Sequence, residues 1–144
     1  MFKKIDIFDK IFKNQIYMGA KFNLDKLLLE DILNTNHRPK TEIFDDYIFV
    51  ILKMISVAGA DRKMTSEQVS FIVGKSWIIS FQEEGGDVFD SIRDRIRTGK
   101  GDLRKSKVDF LLYRMLDTIV DNYFFVTEYF SDKNAELEQE IFKN

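Results

Sequence analysis

Cysteine is absent from this 144-residue chain, which removes disulfides, thiolate zinc sites and thiol nucleophiles and is compatible with a cytosolic setting. Histidine occurs once, at His37, so neither a histidine-based zinc site nor a two-histidine catalytic arrangement can form within one chain. Proline also occurs once: Pro39 disfavours helix at Arg38, and with the surrounding asparagines it makes Asn34 to Lys40 a loop. The seven glycines spell neither GxGxxG nor GxxxxGK[ST], which excludes the two common glycine-rich phosphate loops, and no nucleophile elbow is present. No apolar run approaches the ~20 residues needed to span a bilayer, the longest being Tyr47 to Leu52. Lys3 and Lys4 are not followed by an uninterrupted apolar stretch, so the start is not a signal peptide, and the chain is expected to be soluble as it stands.

What is present is a globular composition. Hydrophobic residues make up 44%, with 14 Phe, 5 Tyr and 1 Trp, enough for a single domain that buries roughly 70% of its unfolded surface. The net charge of -2 hides a strong local segregation. From Arg93 to Lys107 seven basic residues face two acids, a local +5; from Val108 to Phe142 eight acids face two bases, a local -6.

Periodicity predicts the elements. A short strand is expected at Lys4 to Ile7, then a helix from about Asp9 with Phe12, Ile16 and Ala20 on one side. Asn23 to Asn34 reads as a second helix, capped by Asp25, with Leu27, Leu28 and Ile32 inward. Glu42 to Val57 is a strand covered on both faces, Gly59 to Lys63 turns the chain, and Glu67 to Val73 and Ser76 to Phe81 form a hairpin turning at Gly74 and Lys75, an antiparallel meander in all. Val88, Ile92 and Ile96 mark a helix ending near Gly99. The last helix carries a wide stripe of Val108, Leu111, Leu112, Met115, Leu116, Ile119, Val120 and Phe124, with Ser106 and Asp109 in a capping-box spacing. Helices flanking an antiparallel sheet suggest an α/β layered domain.

With other chemistries excluded, carboxylates remain. Glu30 and Asp31 end one helix, and Asp117 and Asp121 lie one turn apart on another. Like charges at that spacing cost about 0.2 to 0.5 kcal/mol, so the pair needs solvent, a basic partner or a cation. Oxygen donors suit a hard ion such as Mg²⁺, held through its water shell by one or two carboxylates. On the residues alone, a solvated or arginine-paired face is the commoner outcome. The basic stretch is similarly ambiguous, but Asp90 and Asp94 stand one turn before Arg93 and Arg97 and stacking aromatics are missing, so nucleic acid is not the expected partner. The aromatics Tyr123, Phe124, Phe125, Tyr129 and Phe130 read as core plus a subunit or stalk contact, and His37 as a loop residue.

Gly86 to Tyr123, GDVFDSIRDRIRTGKGDLRKSKVDFLLYRMLDTIVDNY, closely resembles the CorA family of magnesium and cobalt transporters in its cytoplasmic domain. KFNLDKLLLEDILNTNHRPK, EIFDDYIFVILKM and SEQVSFIVGKSWIISFQE are similar to three further segments of that family, so the resemblance runs from about Ile5 to Phe130. The chain departs from the pattern at Asp25-Lys26, usually His-Pro, at His37, usually Gln, and at Ser91, usually Pro. The resemblance implies an α/β/α sandwich with a largely antiparallel sheet and a long final helix, residues 1–130 forming an N-terminally truncated funnel domain and 131–144 the start of a stalk helix or a frayed tail. It implies a non-enzymatic regulatory domain of a homopentameric Mg²⁺/Co²⁺ channel on the cytoplasmic side of the membrane, whose partners are further copies of itself and the stalk and membrane domain of the same polypeptide. Regulatory Mg²⁺, or Co²⁺ or another divalent cation in its place, is expected at Asp31 with Glu30, and at Asp117, with Asp121 beside it. A zinc-transporting relative and a free-standing, RNA-binding module are the alternatives.

Overall fold

The structure is a computed structural model that describes residues 3–6, 19–58, 63–83 and 88–142, the first of these by backbone alone. The elements in chain order are β1 (Lys3–Asp6), α1 (Lys26–Leu33), β2 (Lys40–Ile43), β3 (Tyr47–Ala58), β4 (Lys63–Gly74), β5 (Trp77–Gln82), α2 (Asp90–Thr98) and α3 (Val108–Phe142). They form a five-stranded sheet of order β1-β5-β4-β3-β2. The β2 to β5 run is the expected antiparallel meander; β1 joins its far edge parallel to β5. The helix expected from Asp9 lies mostly outside the described residues, which resume with a helical end at residues 19–22.

Alternation along the central strands covers both faces of the sheet. Phe49 and Ile51 on β3, Ile72 on β4 and Ile79 and Phe81 on β5 meet Leu24, Leu28 and Ile32 of the α1 layer. Val50, Met54, Val69, Phe71, Val73 and Ile78 point the other way, onto Phe89 and Ile92 around α2 and onto Val108, Leu111, Met115 and Ile119 of α3. The result is the three-layer α/β/α arrangement. Its central residues are buried on both sides, which is why β3 reads as a nearly continuous apolar run.

The structure corrects several expectations. The single strand read over Glu42 to Val57 is two, because Asp45 and Asp46 make a corner that Phe44 N–H closes on the Tyr47 carbonyl at 2.9 Å. Strand β4 starts at Lys63 rather than Glu67; its first four residues are exposed and polar or flexible, so burial leaves no mark on their sequence. The β4–β5 register pairs Val73 with Ile78, which centres the turn on Lys75 and Ser76, one residue later than expected. Gly74 is needed there for closeness rather than for its dihedral freedom: a Cβ would collide with the Trp77 indole. In α1, Leu27 is 69% exposed while Leu28 and Ile32 face inward, joined by Leu24 from the segment just before the helix. On α3, Val120 and Phe124 face outward, and the Ser106 hydroxyl donates to the Asp102 carbonyl at 2.8 Å instead of forming a capping box with Asp109.

Two expectations about helix ends hold. The Asp25 carboxylate accepts from Leu27 N–H at 2.7 Å and caps α1. Gly99, at φ 70°, ends α2 in the left-handed conformation that a Cβ would penalise. Helix α3 is 35 residues long, about 52 Å at 1.5 Å per residue, and Val126 is its last buried side chain. Among the described residues no helix is long and apolar enough to cross a membrane.

Candidate cation site

Carboxylates at the end of a helix face its negative pole, so Glu30 and Asp31 in the last turns of α1 create a local demand for positive charge. The chain meets that demand by folding back. Asn34 N–H bonds to the Glu30 carbonyl at 3.0 Å, and the Asn34 side chain accepts from Asn36 N–H at 3.3 Å, turning the backbone toward β2. The turn carries His37 and Lys40 to the same carboxylate. His37 Nε2 lies 2.8 Å from Asp31 Oδ1, and Lys40 Nζ lies 2.6 Å from Asp31 Oδ2 and 2.8 Å from Glu42 Oε1.

The backbone under this cluster is anchored from the sheet. Gln68, 3% exposed on β4, donates through Nε2 to the carbonyls of Asp31 at 3.3 Å and Ile32 at 3.5 Å, and Lys53 Nζ donates to the Thr35 carbonyl at 2.5 Å. Helix α1 therefore presents Asp31 from a fixed base. The Asp31 hydrogen bond, then the Glu42 one, raise the Lys40 pKa above its ordinary value, and burial offsets only part of this. An ammonium already stands where two carboxylates converge. Glu30 points into solvent beside it.

The second pair sits in the other layer. Asp117 Oδ2 accepts from Arg114 Nη1 at 2.6 Å, each side chain 31% exposed, and Asp121 is exposed one turn further on. The arginine-paired face foreseen for this pair is thus present at Asp117. Asp31 packs on the α1 side of the sheet and Asp117 on the α3 side, so one chain does not bring them together. Among the described residues no three His, Asp or Glu side chains converge to hold a metal. His37 is the residue that sequence reasoning passed over. Its signal was the short return between α1 and β2, since a loop that brief must pass close to the helix end it leaves.

A mostly antiparallel sheet between one helical layer and another, with a long helix running past its edge, defines a known class of soluble domain. The soluble domain of CorA from Methanocaldococcus jannaschii superposes with a TM-score of 0.72 at 18% identity, covering 92% of this chain and 52% of that one. The complete CorA magnesium transporter of the same organism gives 0.73 at 18% identity, over 94% of this chain and 42% of that one. The cobalt/magnesium transport protein CorA of Thermotoga maritima is 44% identical over 124 residues, 86% of this chain and 35% of that protein. The family model for CorA-like Mg²⁺ transporter proteins matches residues 14–144, and the chain belongs to that family. It spans about a third of the length of the curated relatives it matches.

Proposed function

We propose that this chain is the cytoplasmic regulatory part of a divalent-cation channel, transporting Mg²⁺ or Co²⁺, and that it senses intracellular Mg²⁺ through Asp31 and Glu30 on one copy and Asp117 and Asp121 on the next. The observation that carries this reading is the Asp31 cluster: a carboxylate 22% accessible to solvent, on backbone held by Gln68 and Lys53, within 2.6 Å of Lys40 Nζ and 2.8 Å of His37 Nε2. Glu30 is exposed and Asp31 partly so, and both offer oxygen, the donor type of a hard cation held through its water shell, which would compete with Lys40 for Asp31. Since the sheet separates Asp31 from Asp117 within one chain, an ion shared by both requires two chains, which agrees with a ring of five copies.

A bound cation at such an interface offsets repulsion between neighbouring acidic surfaces. It favours the assembly in which those surfaces are close, and its loss releases them. No catalytic step belongs to this reading. The test is flux through the complete transporter: Asp31→Asn and Asp117→Asn should each weaken inhibition by intracellular Mg²⁺. Unchanged gating in both variants would remove the sensing role.

A further inference from the structure

Salt bridges neutralise the basic segment only in part. Arg93, its side chain largely covered, pairs with Asp90 at 2.9 Å, and the exposed Arg97 pairs with Asp94 at 3.4 Å. Arg95 and Lys100 are exposed, and among the described residues neither has an ion-pair partner. These two cations line one cleft of about 580 Å³ between the end of α2, the 99–107 loop and the start of α3, together with Arg114, Asp102, Leu103 and Phe110. Unpaired like charges held around a concavity repel one another, and an anion removes that cost.

We propose that this cleft binds a nucleoside phosphate. Its cations are of the kind that recognise phosphate: Arg95 and Lys100 are free to turn, while Arg114 is held in place by Asp117 and offers its remaining guanidinium edge. The 99–107 loop leaves room for the ligand at Gly101, which lines the cleft and has nothing within 4 Å of where its Cβ would stand. Phe110, 38% exposed, and Leu103 supply an apolar wall suited to a flat ring attached to the phosphate. The volume falls within the range of small-molecule sites. Recognition here is by side chains, in keeping with the missing glycine-rich phosphate motifs. Asp102 is the one carboxylate lining the cleft, and it opposes the ligand.

That opposition gives the test a sign that loss of folding cannot imitate. ADP is titrated into the 144-residue chain by calorimetry at low ionic strength. Saturable binding at one site per chain is expected, with the dissociation constant raised about tenfold by Arg95→Ala or Lys100→Ala, as for loss of one charge-assisted hydrogen bond. Asp102→Asn should bind more tightly than the parent, and Phe110→Ala should bind ADP no better than pyrophosphate. Absence of saturable ADP binding overturns the proposal. So does equal affinity of the parent chain for pyrophosphate, or binding of polyuridylate or of phosphatidylserine vesicles through Arg95 and Lys100 that ADP does not displace.

Discussion

At the scale of single residues, Lys40 and Tyr123 tie stability to alkaline pH. Lys40 titrates above its ordinary 10.5 because Asp31 and Glu42 hold its proton, and Tyr123 above its ordinary 10.0 because burial disfavours the phenolate. The Tyr123 hydroxyl also donates to the Lys53 carbonyl, which ties α3 to β3. Both folded-state values lie above the unfolded ones, so both contributions are fully present below about pH 10 and are lost as pH rises through the raised values. The melting temperature should therefore fall above pH 10, and Tyr123→Phe should flatten part of that fall while lowering stability at neutral pH. A Tyr123→Phe profile parallel to the parent's would contradict the assignment. His37 and Lys40 also show the limit of reading residues singly. Each looks like an ordinary loop or strand-edge residue until the chain reverses and places both on Asp31.

Elements were largely legible because local rules wrote them. Asp25 as a cap, Gly99 as a stop and the Ile92 stripe of α2 are contacts within a few residues, and each is where periodicity and capping preferences put it. Removing the first of these should be measurable: Asp25→Ala should cost about 1 kcal/mol in urea unfolding, from loss of the Leu27 N–H bond, with little change in denaturant slope. What local rules missed were breaks set by partners. The corner at Phe44–Tyr47, the early start of β4 and the one-residue shift of the β4–β5 turn all depend on which residue pairs across the sheet. Register carries no signature in a strand that is apolar on both faces.

For the whole molecule, the question is which part of α3 belongs to the core. Ile119 is fully buried under the sheet, and Ile119→Ala should destabilise by about 2 to 5 kcal/mol through lost contacts and the cavity left behind. Phe124, although larger and one turn on, is 66% exposed, and Phe124→Ala should shift unfolding by less than about 0.5 kcal/mol. Equal costs at the two positions would mean that the stripe read from spacing, rather than the observed packing, describes the helix. From Ser131 to Phe142 every side chain is exposed. That stretch carries apolar residues without a buried face among the described residues, so its sequence pattern alone did not fix its role.

The amino-acid sequence by itself determined the family, the layer architecture, most element types and the identity of the acidic residues, because motif, periodicity and capping are local. The three-dimensional arrangement alone decided that Asp31 is compensated by Lys40 and touched by His37, that Asp117 is held by Arg114, and that the sheet keeps the two carboxylates on opposite faces. It also decided that Arg95 and Lys100 share a cleft while Arg93 and Arg97 do not. Charge acts through space over a few ångströms, and which charges come that close is set by the packing of distant segments rather than by their order along the chain.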